Sequence, residues 1–151
     1  MNMSKEEKSN EMKHRTIHCN LDGTGAYVST KEERMSVFMG CWQMATCEGD
    51  LTAKDKEQLA RVMHHIDLSE EELTQFMDQP ETVAFVVPDN KAGCQHSVKC
   101  LISIALENGK INSAKQGMML HAACASYGIS DDECSALIDQ LAQEEAQNQI
   151  A

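Results

Sequence analysis

The feature that most limits how this chain can fold is that its second half repeats its first. Gly49 and Leu51 correspond to Gly109 and Ile111 at a register of 60 residues. One inserted residue then moves the register to 61, where Thr52 meets Ser113. Leu59, Val62, Met63 and Ile66 meet Leu120, Ala123, Cys124 and Tyr127, an i, i+3, i+4, i+7 stripe in both copies. Leu68-Ser69 meets Ile129-Ser130, and Leu73, Phe76 and Met77 meet Cys134, Leu137 and Ile138. Amphipathic helices fall into phase by chance, but matching turns and caps through a single insertion requires more. Neither half can bury its stripes alone, so the halves are expected to pack face to face around one core, with Leu59 and Leu120 central.

Start and stop signals mark out each unit. Thr30-Lys31-Glu32-Glu33 has the capping-box form, and a helix with Met35, Phe38, Met39, Trp42 and Ala45 on one face is predicted to run to about Glu48 before Gly49. Thr52 and Ser69 open two more helices, the second ending near Pro80. Residues 81–88 are too short for periodicity to separate a buried helix from an extended connector. In the second copy, Asp89 is the candidate cap of a helix carrying Val98, Leu101, Ile102 and Ala105, which Asn108-Gly109 stops. Ser113 caps the next helix and Gly128 ends it. Ser130-Asp131-Asp132-Glu133 opens the last, whose tail is expected to fray. The expectation is an all-α, compact bundle of about six to seven helices built from two helix-turn-helix-helix units. Repeat one spans 30–80 and repeat two spans 89–145, within a domain of 30–151. Residues 1–29 read as a polar arm, partly disordered, with an irregular course or a short hairpin around Asp22-Gly23.

Composition agrees with helix packing. Aromatics make up 4% of the 151 residues, and ten Met join Leu, Ile and Val as the large apolar side chains. A net charge of −11 repels phosphate backbones and anionic bilayers, so nucleic-acid binding is disfavoured, and a basic protein partner or a divalent cation is the natural counterpart. No apolar run approaches a membrane span, so no direct membrane insertion is expected. The polar N-terminus has no signal-peptide core, and seven Cys then read as reduced thiols in a cytoplasmic protein.

The two helix-ending turns read Ala45-Thr46-Cys47-Glu48-Gly49-Asp50-Leu51-Thr52-Ala53-Lys54-Asp55 and Ala105-Leu106-Glu107-Asn108-Gly109-Lys110-Ile111-Asn112-Ser113. Together with Ile66-Asp67-Leu68-Ser69-Glu70-Glu71 and Tyr127-Gly128-Ile129-Ser130-Asp131-Asp132, they resemble the turns of the TerB-like, tellurite-resistance family over about residues 31–143. The resemblance implies an all-helical fold with acidic inter-helix loops, divalent-metal binding in those loops, and a setting of stress response and membrane-associated complexes. Glu48 stands where that family usually has Asp, and Asn108 stands there in the second copy. The carboxylate that opens the following helix is kept as Asp55 but becomes Lys115 or Gln116 in repeat two. Any metal loop is therefore expected in repeat one.

Glu48, Asp50 and Asp55 are the candidate hard-oxygen ligands, suited to Ca²⁺ or Mg²⁺; the competing reading is a solvated acidic turn with Asp55 as a cap. Asn20–Gly25 fails the EF-hand spacing. Cys94, His96 and Cys100, with His121 and Cys124, would make a transition-metal site only if their two helix faces met. His64 and His65 sit where a cation suits a helix C-terminus. No nucleophile–base pair, Gly-rich phosphate loop or CxxC occurs. The function expected is therefore a non-catalytic binding or regulatory module, not an enzyme. The alternative is a soft-metal or oxyanion stress sensor built on the Cys and Met.

Overall fold

The computed structural model describes residues 30–150, so the expectations for the arm at 1–29 lie outside the described residues. Six α-helices run through it: α1 (Lys31–Thr46), α2 (Ala53–His65), α3 (Glu70–Asp78), α4 (Lys91–Ala105), α5 (Ala114–Ser126) and α6 (Asp131–Ile150). A 3-10 turn spans Pro80–Thr82, and two-residue strands β1 (Leu106–Glu107) and β2 (Lys110–Ile111) pair antiparallel. This is the all-α bundle that the stripes predict.

The helix starts follow from side-chain caps. Thr30, Thr52, Ser69, Asn90 and Ser113 each accept a backbone N–H three residues on, which satisfies a donor with no partner inside the helix. Thr52 and Ser69 form full capping boxes with Asp55 and Glu72. The cap of α4 is Asn90 rather than Asp89, because the Asn90 amide oxygen reaches Gly93 N at 2.7 Å. Helix α1 stops at Thr46, short of Glu48, and residues 47–50 form the turn.

The repeat is visible in backbone geometry. Helix α2 ends with Leu68 N donating to Met63 O and Asp67 N to His64 O; α5 ends with Ile129 N donating to Cys124 O and Gly128 N to Ala125 O. The left-handed residue is Asp67 (φ 57°) in the first and Gly128 (φ 71°) in the second, 61 positions apart. The preceding turn differs. Asn108 (φ 53°) and Gly109 (φ 78°) do not merely stop α4; both adopt left-handed angles and close a two-residue hairpin that pairs Leu106 with Ile111. The extra residue of repeat two lies just past this hairpin.

Helices α1 and α4 run parallel, side by side. Glu33 faces Cys94, and a Cβ on Gly40 would stand 3.0 Å from Leu101 Cδ2. Cys41 in turn lies beside Cys100. At a register of 60, Gly40 corresponds to Cys100 and Cys41 to Leu101. The two contacts are therefore exchanged copies of each other, the signature of a two-fold axis between the units. Around this axis Met44, Ile66, Ile102 and Leu120 are fully buried, each stabilising the fold by about 1.5–3 kcal/mol. Leu59 is 5% exposed and Leu120 1%, as their stripes require.

Residues 83–88 are extended, and they strap both units. Val86 N donates to Ser36 Oγ of α1 at 2.9 Å, while the Phe85 ring meets Tyr127 at 5.2 Å. Helix α6 continues to Ile150 instead of fraying after residue 142, since Ala, Gln and Glu there are good helix formers and nothing breaks the run. No described helix is long and apolar enough to cross a membrane.

Candidate functional site

The first acidic turn is held by local bonds. Asp55 Oδ2 accepts the Thr52 N–H at 3.1 Å, which commits that carboxylate to the capping box of α2. Glu48 accepts from the Ser113 hydroxyl, the cap residue of α5, and Lys115 Nζ donates to Cys47 O at 2.7 Å. The turn of repeat one is thus tied to the start of repeat two, with an ammonium group on its carbonyl. Asp50 is exposed at the turn's edge. Among the described residues, no three His, Cys, Asp or Glu side chains form a group able to hold a metal ion. Glu48, Asp50 and Asp55 share one turn in sequence, but the structure does not gather their carboxylates.

The Cys/His faces do not converge either. His96 is buried on α4 and stacks on His65 at 5.3 Å. Burial, and after it the neighbouring His64, lowers the pKa of His65. Cys94 Sγ donates to Pro88 O at 3.6 Å, and burial raises its thiol pKa. His121 stands exposed, 3.4 Å from Asp131. Cys124 points inward to Cys134 on α6, with the sulfurs 2.9 Å apart.

Beside the two-fold axis lies a polar knot that the stripes did not announce. The Tyr127 hydroxyl lies near Ser36 of α1 and Ser97 of α4, and Ser36 Oγ accepts from Val86 N. Ser97 also donates to Gly93 O at 3.0 Å. Burial pushes the phenol up to about 12, so it stays protonated at neutral pH. All three side chains are buried, and Ser36 and Ser97 are bonded to backbone groups, which makes them structural. At the register of 60 that relates α1 to α4, Ser36 corresponds to His96 rather than to Ser97, so the repeat gave no signal of the knot.

A cleft opens between α2, α4 and α6. Its volume is about 280 Å³, and Gln58, Arg61, Val62, His65, Lys99, Cys100, Ser103, Leu141 and Glu144 line it. It continues into a groove of about 510 Å³ that adds Lys54, Glu57, Leu106, Asn108 and Glu145. Val62, Leu141 and Leu106 supply an apolar floor, and charged side chains form the rim. Gln58 Nε2 donates to Ser103 O at 3.0 Å, fixing α2 to α4 across the cleft, and Arg61 pairs with Glu57 at 2.8 Å. Arg61 is thereby neutralised by Glu57, and the remaining rim sets Glu144 and Glu145 of α6 against Lys54 and Lys99, so the rim itself is mixed in charge. Across the chain, the four acids and four bases of residues 1–29 cancel, so the whole net charge of −11 falls on residues 30–151. Compared with models of protein families, with curated proteins and with solved structures, the chain gives no match.

Proposed function

We propose that this chain is a non-catalytic binding module of TerB-like kind, working in the cytosol, that docks a basic protein segment in the cleft between α2, α4 and α6. One observation carries the reading: a cleft with an apolar floor and a rim of mixed charge, acidic on its α6 side, lies on a folded unit that holds the entire net charge of −11. An apolar floor supplies affinity, and an acidic field steers cationic partners and selects against anionic ones. The groups that would serve catalysis have other tasks. Ser36 and Ser97 are buried and bonded to Val86 N and Gly93 O, Tyr127 is buried beside them, and the Asp55 and Glu72 carboxylates cap helices. A hard-ion loop has less support, because Asp55 and Glu48 are committed to Thr52 and Ser113.

Titrating the chain with a lysine-rich amphipathic peptide, and with its glutamate-substituted twin, tests the docking. Amide shifts should cluster at Gln58, Arg61, Ser103 and Leu141 with the basic peptide, weaken with salt, and fall several-fold in affinity when Glu144 and Glu145 are changed to Lys. Equal binding of both peptides, or shifts spread evenly over the acidic surface, would rule it out.

A second reading, the soft-metal or oxyanion stress sensor, is favoured by the Cys124–Cys134 contact. It predicts thiolate–metal charge-transfer absorption on adding Zn²⁺ or Cd²⁺, lost in Cys124→Ser. Absence of that absorption at neutral pH would remove it.

A further inference from the structure

Two sulfurs from different helices meet at the corner between α5 and α6. Cys124 lies in the last turns of α5 and Cys134 in the first turn of α6, with the short turn 127–130 between them. Their Sγ atoms are 2.9 Å apart, and neither residue has measurable exposure. A disulfide bond spans about 2.05 Å, so roughly 0.9 Å of approach separates the two thiols from bonding distance.

The fold does not require sulfur at this corner. In repeat one the corresponding positions are Met63 and Leu73, which pack against the same core as ordinary hydrophobes. Equivalent architecture is thus closed without thiols in one copy and with two facing thiols in the other. Cys41 and Cys100 also neighbour each other, between α1 and α4, with Cys41 wholly enclosed.

We propose that Cys124 and Cys134 are a paired oxidation site, converted by peroxide to a disulfide that pins the start of α6 to the end of α5. The chemistry balances with hydrogen peroxide as the two-electron oxidant. One thiol, after losing its proton, attacks a peroxide oxygen, breaking the O–O bond and releasing hydroxide, which takes up that proton to become water. The resulting sulfenic acid is attacked by the second sulfur, forming the S–S bond, and the sulfenic hydroxyl leaves as water with the second thiol's proton. Two thiols and one peroxide give one disulfide and two waters. Burial is the first of the causes that hold the Cys124 thiol far above its ordinary pKa, with the hydrogen bond to Cys134 next. Attack therefore proceeds from opened states of the corner, and the site responds to sustained oxidant rather than to a brief pulse. Beyond the corner, α6 carries Leu141 and Glu144 into the cleft, so the bridge fixes one wall of it. The proposal needs neither a docked peptide nor a metal, so its failure would leave both earlier readings untouched.

The test uses the full chain, treated with excess hydrogen peroxide and then alkylated with N-ethylmaleimide under denaturing conditions. Cleavage after glutamate separates residues 108–133 from 134–144, each of which carries a single cysteine. The expected result is a mass 2 Da lower, two fewer alkylated thiols out of seven, and the two fragments held together until dithiothreitol releases them. Cys134→Ser should abolish the linked species. If that variant does not fold, the wild-type digest decides alone. Fragments that separate without reductant after other cysteines have oxidised, or a Cys41–Cys100 bridge that forms first, would overturn the proposal.

Discussion

Glu72 holds two jobs with its two oxygens. Oε1 accepts the Ser69 N–H at 3.0 Å, closing the capping box of α3, and Oε2 meets Arg34 Nη2 of α1 at 2.8 Å. The side chains of the pair are only 12% and 9% exposed. Exposed ion pairs contribute about 1 kcal/mol at most, whereas removing one partner of a buried pair costs about 3–5 kcal/mol by leaving a charge uncompensated. Glu72→Gln separates the two jobs, because the amide oxygen can still cap Ser69 while the charge is gone. Arg34 keeps other interactions, so the expected loss lies at or below that lower figure, about 2–3 kcal/mol. Glu72→Ala removes the cap as well and should cost about 1 kcal/mol more. Arg34→Met combined with Glu72→Gln should recover at least 1 kcal/mol of the summed single losses, since no charge is then stranded. Urea unfolding followed by Trp42 fluorescence suits the test, because Trp42 meets Phe76 of α3 edge-on at 5.8 Å and reports the same helix contact. A loss under about 0.5 kcal/mol for Glu72→Gln, or a loss abolished by high salt, would show that the pair is screened and the reasoning wrong.

Three further outcomes follow from the same geometry. Asp67→Gly should stabilise by up to about 1 kcal/mol by relieving a left-handed non-glycine, while Gly128→Ala at the matching turn, where a Cβ meets nothing within 4 Å, should destabilise by a similar amount through backbone strain alone; urea midpoints shifting in the same direction for both would contradict this. Leu120→Ala and Leu59→Ala should each lose about 2–5 kcal/mol in the same assay, and a loss below 1 kcal/mol at either would remove that residue from the shared core. Stability should fall as pH drops from 7 towards 5. The folded-state pKa of His65 is lowered below its ordinary 6.5, so the folded chain resists a proton that the unfolded chain accepts, and the stability it carries is complete only above that value. Glu133, depressed first by its hydrogen bond to Lys91, acts in the same direction at lower pH. His65→Asn should flatten the upper part of that profile, and an unchanged slope would exclude His65 as its source.

What the sequence made legible was whatever is local and periodic. Thr52, Ser69 and Ser113 cap where their hydroxyls precede an apolar stripe, and the stripes face one core because helical spacing dictates it. The hairpin at Asn108-Gly109 was missed because strands of two residues have no measurable alternation; the Asn-Gly dipeptide itself carried the signal and was read only as a stop. The connector at 83–88 resisted assignment because its course depends on Ser36 and Tyr127, far away in the chain. The acidic turn looked like a ligand set because sequence shows which carboxylates are near one another but not which bonds already occupy them. Ser113 is 65 residues from Glu48. The cleft and the Cys124–Cys134 corner arise from helices meeting in space, and no single-helix pattern encodes them.

The exchanged contacts of Gly40 with Leu101 and Cys41 with Cys100 have a thermodynamic consequence. A chain with a two-fold axis between its halves is a dimer whose subunits happen to be joined. The strap at 83–88 sets their effective concentration, which turns a bimolecular encounter into a unimolecular closure. Cut within that strap, the two fragments would still present matching surfaces, but their stability would rise and fall with concentration, as it does for any obligate dimer. Residues 83–88 therefore determine not whether the halves recognise each other, but whether that recognition is independent of dilution.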